Sequence, residues 1–133
     1  MSNVQLNVRR DANGNVALYK NNQEVTSVEI KKDVSMQIGV GDGFTAGANV
    51  ASFSLFNNVS GAKGTAIGTW SRTNPTVQPS AEISIAADGA AAIVVTDTDT
   101  KTVDELFYFS IQVQDGTTTY DTDPELKVKK IKD

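Results

Sequence analysis

The sequence predicts an all-β fold, an antiparallel β-sandwich, with a β-barrel as the alternative architecture. Three observations predict it. Apolar and polar residues alternate along most of the chain, and Asn-Gly or Asp-Gly dipeptides punctuate the alternating runs. No segment keeps the 3.6-residue apolar period of an amphipathic helix beyond about two turns.

The runs follow in order. Val4, Leu6 and Val8 alternate with Gln5, Asn7 and Arg9, and Val34, Met36, Ile38 and Val40 alternate with Ser35, Gln37 and Gly39. Phe53 and Leu55 sit among serines, Ile83 and Ile85 flank Ser84, and Ile93 and Val95 lie among small and β-branched residues. In 106–114, Phe107, Phe109, Ile111 and Val113 share one face while Tyr108, Ser110 and Gln112 share the other. Leu126 and Val128 alternate with Lys127 and Lys129. Successive strand side chains point to opposite faces, so each run buries one face and hydrates the other.

Turn chemistry sets the pairing. Asn13-Gly14, Asp88-Gly89 and Asp115-Gly116 accept the positive φ angles of tight hairpins. They predict hairpins joining 3–10 to 16–19, 80–87 to 91–97, and 106–114 to 117–121. Pro75, Pro79 and Pro124 fall outside strands or at their starts, where a missing N–H is harmless. The Gly/Ala-rich stretch 39–51 reads as a long loop or a pair of bulged strands. Lys127, Lys129, Lys130 and Lys132 read as lysines that block edge-to-edge pairing along a terminal strand.

The 133 residues fit one domain, 1–133, large enough to close a core without staples. There is no cysteine and no histidine. Disulfides, thiolate chemistry, Ser–His and Cys–His nucleophile systems and His/Cys zinc sites are therefore excluded. A net charge of −4 lacks the basic footprint of nucleic-acid binding. No apolar run approaches the roughly 18 residues of a membrane-spanning helix. Residues 1–10 contain no signal-peptide core, which makes the default location cytoplasmic unless a leader was removed.

The final third carries a resemblance. A strand 91–97, an acidic corner 97–105, the aromatic strand 106–113, a hairpin and a last strand from Pro124 resemble the E, F and G strands of an immunoglobulin-like domain. That resemblance implies a central aromatic strand flanked by the last one, Trp70 packed between the sheets, and Tyr108 as corner tyrosine. The closing Thr122-Asp123-Pro124-Glu125-Leu126 is also similar to the end of small bacterial proteins of the DP-EP family, with Leu126 where a second proline is expected. This second resemblance implies a bacterial source and no assigned activity.

Few routes to chemistry remain. A carboxylate pair or a Ser–Lys dyad would suffice for catalysis, but nothing places such groups together, and the expectation is a non-enzyme. Gly41-Asp42-Gly43-Phe44-Thr45-Ala46 fits a G-x-G-x-x-A phosphate loop in letters only, because a strand rather than a helix follows. Asn58-Val59-Ser60 matches a glycosylation sequon, a chance tripeptide without weight. Asp97, Asp99, Asp104 and Glu105 gather in one corner and form the candidate calcium site, since hard cations take several converging oxygens. The competing reading is a solvated turn. Trp70, with Arg72 and Asn74 after it, is the candidate sugar platform if it is exposed.

Two functions follow from this. The first is a non-catalytic interaction or structural module that offers loops or an edge strand to a protein partner, or pairs with itself. The second is an accessory carbohydrate- or calcium-binding surface module. Binding residues concentrate on loops. The candidates are therefore Asp42 and Phe44 in the 39–49 loop, Trp70, Arg72 and Asn74 in the 70–78 loop, and the acidic corner.

Overall fold

The computed structural model describes residues 2–32, 34–98, 103–122 and 126–131. Alternation becomes strand in every run. The strands are β1 (Ser2–Arg10), β2 (Val16–Lys20), β3 (Gln23–Val25), β4 (Ser27–Ile30), β5 (Val34–Val40), β6 (Asn49–Val59), β7 (Ala62–Ser71), β8 (Ile83–Asp88), β9 (Ala92–Asp97), β10 (Glu105–Asp115), β11 (Thr118–Asp121) and β12 (Leu126–Lys130). Among the described residues no helix is long and apolar enough to cross a membrane.

The strands form two open sheets, ordered β3-β2-β1-β5-β9-β8 and β4-β12-β10-β6-β7, with β11 on β10 beside its turn. Neither sheet closes on itself, so the architecture is the sandwich and not the barrel. In immunoglobulin lettering β5, β9 and β8 are B, E and D, while β12, β10, β6 and β7 are G, F, C and C′. The fold is an immunoglobulin-like β-sandwich. Instead of a single A strand, a β1–β2 hairpin extended by β3 lies beside β5.

The antiparallel expectation needs one correction. β1 runs parallel to β5, and β4 runs parallel to β12. The chain leaves the first sheet after Val25, runs through β4 in the second sheet, and returns as β5 beside β1. Parallel neighbours need a crossover of this kind, because a tight turn joins only antiparallel ones. β12 is likewise no edge strand, since β10 and β4 flank it. Its lysines therefore do not guard an edge.

The three predicted hairpins form, with Gly14, Gly89 and Gly116 at φ of 83°, 71° and 62°. Two further two-residue turns were not anticipated. Asn21-Asn22 (φ 51° and 68°) joins β2 to β3, and Ser60-Gly61 (53° and 85°) joins β6 to β7. Loop 41–48 connects β5 to β6, resolving the Gly/Ala-rich stretch into two strand ends and a loop. Gly43 is required there: its φ is +91°, and a Cβ would lie 1.9 Å from the Arg10 carbonyl oxygen.

The core lies between the sheets. Phe53 and Phe109 stack with centroids 5.2 Å apart, and Trp70 sits opposite Phe53 on the neighbouring strand. Met36, Ile38, Ile93 and Val95 face them from the other sheet, all without solvent exposure. Each such side chain contributes about 1.5–3 kcal/mol through burial. Tyr108 is not a corner tyrosine. Its hydroxyl donates to the Gly61 carbonyl at 2.7 Å, on the distant β6–β7 turn rather than a few residues upstream.

Candidate functional site

Strand register brings several turns to one end of the sandwich. Val8 pairs with Val40, so the end of β1 abuts loop 41–48, and the Arg10 N–H donates to the Asp42 carbonyl at 2.9 Å. Gln114 pairs with Asn49, which sets the β10–β11 turn beside the same loop. Thr45 then donates twice to the Asp115 carboxylate, through its N–H at 3.1 Å and through its hydroxyl. These hydrogen bonds hold the Asp115 carboxyl below the ordinary aspartate range, with a smaller contribution from the Arg10 charge.

Aromatic contacts complete the joint. The Phe44 ring meets Tyr120 edge-on at 5.5 Å, and the Arg10 guanidinium lies over Tyr120 at 4.7 Å. Phe44 is half-buried against the core, whereas Asp42 is exposed. Arg10, Asp115 and Tyr120 were missed at the level of sequence. Their assembly depends on which turns share an end.

The Trp70 candidates have other roles. Trp70 is wholly buried and its indole N–H donates to the Pro75 carbonyl at 3.2 Å, so it packs in the core and does not meet the condition of exposure for a sugar platform. Arg72 is a clamp. It donates to the carbonyls of Val50 (2.9 Å), Gly89 (3.0 Å) and Ala92 (2.9 Å), joining β6 of one sheet to the β8–β9 hairpin of the other. Burial lowers its pKa, but guanidinium remains charged in proteins. Asn74 is exposed and closes a turn by donating its N–H to the Ser71 carbonyl at 3.0 Å. Beyond it, Gln78 exchanges hydrogen bonds in both directions with the backbone of Ile85, covering the β8 edge with a side-chain amide.

The acidic corner lies at the opposite end. Asp97 is buried, and its Oδ1 lies 3.3 Å from Nζ of the fully buried Lys130. Glu82 and Glu105 approach the same ammonium at 3.5 and 3.8 Å, and Asp104 meets Lys129 at 3.5 Å. The cation among these carboxylates is thus the protein's own ammonium. Among the described residues no group of three or more acidic side chains is arranged to hold a metal ion. Asp99 lies outside the described residues. The signal for Lys130 was present in the sequence: it continues the inward row Leu126, Val128, as Asp97 continues Ile93, Val95 and Glu105 precedes Phe107, Phe109.

No protein-family model matches the chain, and no curated protein matches it. Among solved structures it is similar to murine CRIg, at 9% identity over 82% of this chain and 93% of that one, with a TM-score of 0.42. The fold assignment rests on the strand order and register given above. The DP-EP resemblance gains no support from the family models, and its Asp123, Pro124 and Glu125 lie outside the described residues.

Proposed function

We propose that the protein is a non-catalytic recognition module whose protein partner docks on the end formed by the β1–β2 turn, loop 41–48 and the β10–β11 turn. The observation that carries this reading is the double donation from Thr45 to Asp115, which ties a loop to a hairpin tip. Fastened beneath by Arg10, Tyr120 and Phe44, the crest exposes Ala46, Gly47, Gly116 and Thr117. A loop held in one conformation before binding loses little entropy on docking. Small residues at the crest let a partner approach the backbone closely.

The chain has no cysteine, so a single introduced one is a unique attachment point. Thr117→Cys carrying a photo-crosslinker should form a discrete adduct in extract of the source cells, whereas Ala86→Cys on β8 should not. Adding Ala46→Arg should abolish the adduct without changing the melting temperature. Adducts formed equally from both positions, or an adduct indifferent to Ala46→Arg, would refute the loop-end reading. An adduct between two copies of the chain would identify the partner as itself.

A further inference from the structure

The outer face of the β1–β5–β9 layer carries a depression of about 310 Å³, at the small end of the usual range of ligand clefts. Its lining is mostly polar, with Gln5, Asn7, Arg9, Asn22 and Gln37 around it, and also includes Leu6, Gly39 and Ala92.

Position 39 has no structural reason to be glycine. A Cβ on Gly39 would meet only the Ala92 Cβ, at 3.9 Å, which is ordinary contact, and its φ lies outside the left-handed region. Two residues on, Gly41 differs: a Cβ there would lie 2.6 Å from Asn7 Oδ1. Glycine weakens a strand interior, and where it is kept it often marks a bulge, a bend or a place where a ligand approaches the backbone closely.

The walls are preorganised with a definite polarity. Arg9 donates through Nε to Asn7 Oδ1 and through Nη2 to Asn22 Oδ1, both at 2.7 Å, while its guanidinium lies 4.9 Å from the Tyr19 ring centre. The left-handed Asn21-Asn22 turn holds the second amide in place. Among the described residues no carboxylate lies within ion-pair distance of Arg9. Because Asn7 and Asn22 commit their oxygens to Arg9, their NH2 groups remain as donors beside that charge. Gln37 has the opposite arrangement: it donates its NH2 to Asp88 and keeps an oxygen lone pair to offer. One wall is therefore cationic and donor-rich, and the facing wall accepts.

We propose that this depression binds an acidic saccharide, with a uronate-type carboxylate on the Arg9, Asn7 and Asn22 donors and a hydroxyl donating to Gln37. Carboxylate recognition by a fixed guanidinium supplies the charge-assisted bonds, and amides that donate and accept suit hydroxyls. The site is independent of the loop end, so either reading can fail alone.

Nuclear magnetic resonance titration with a glucuronate-containing disaccharide, an uncharged disaccharide and inorganic sulfate tests it. The acidic sugar should shift the side-chain amides of Asn7, Asn22 and Gln37 and leave the Thr45 amide unmoved. Arg9→Gln should weaken binding about tenfold, the loss of one charge-assisted hydrogen bond. Gly39→Val, which fills this part of the lining and suits a strand, should abolish binding without lowering the melting temperature. Equal affinity for the neutral sugar, equal affinity for sulfate, no response to any probe, or full binding by Gly39→Val would each overturn the assignment.

Discussion

Lys130 Nζ sits 3.3 Å from Asp97 Oδ1, with neither side chain open to solvent, and this pair joins β12 of one sheet to β9 of the other. It fastens the end of the sandwich opposite the proposed recognition surface. Removing one member of a buried pair strands the other charge, at a cost of about 3–5 kcal/mol. Lys130→Met should therefore lower unfolding stability by about 3 kcal/mol in urea, with Asp97→Asn losing a comparable amount. The combination Lys130→Met with Asp97→Leu should recover part of the loss, since no buried carboxylate is left at Asp97, while the partly exposed Glu82 and Glu105 still lose their ammonium partner. A single variant as stable as the parent would show that the pair contributes nothing.

Arg72 performs a related task at the other end, through three carbonyls rather than a carboxylate. Arg72→Ala should cost about 2–3 kcal/mol, and Arg72→Lys should recover only a fraction, because an ammonium lacks the planar fork that reaches three acceptors. Chemical denaturation measures both, and equal stability of Lys and Arg at this position would contradict the clamp.

The Thr45–Asp115 joint should respond to acid. Asp115 is depressed in the folded protein, so its contribution is present above the ordinary aspartate pKa and is lost as pH falls through the lower, folded value. The Thr45 amide resonance should therefore titrate with a midpoint below the ordinary aspartate range. Asp115→Asn should remove that titration and speed hydrogen exchange in loop 41–48. A midpoint at or above the ordinary value would mean that the joint is absent in solution.

Trp70 should emit at blue-shifted wavelengths, resist quenching by acrylamide, and show no change with neutral or acidic sugars, because its ring is wholly enclosed. A red, readily quenched emission would place the indole at the surface and contradict the packing against Phe53.

The strands of the alternating runs, their faces and three hairpins are legible from local pattern, whereas β3, β4 and β7 are not. Phe107, Phe109, Ile111 and Val113 point inward as their alternation requires, despite the register shift between Gln112 and Val113. The same rule aims Lys130 and Asp97 inward, where they meet as an ion pair rather than as an edge-guarding lysine and a calcium ligand. The Asn21-Asn22 and Ser60-Gly61 turns escaped notice because three of their four residues adopt positive φ without being glycine. Of the candidate site, Asp42 and Phe44 were reachable as loop residues, while Arg10, Asp115 and Tyr120 were not.

Local pattern specifies the strands of the alternating runs and the faces of their side chains, because pleat direction and turn conformation depend on a few neighbouring residues. The parallel pairing of β1 with β5 and of β4 with β12, the bridge from Arg72 between the sheets and the meeting of Lys130 with Asp97 arise only when the sheets assemble. Those outcomes depend on which sheet each strand joins, a choice governed by long-range burial and crossover geometry that no local spacing encodes.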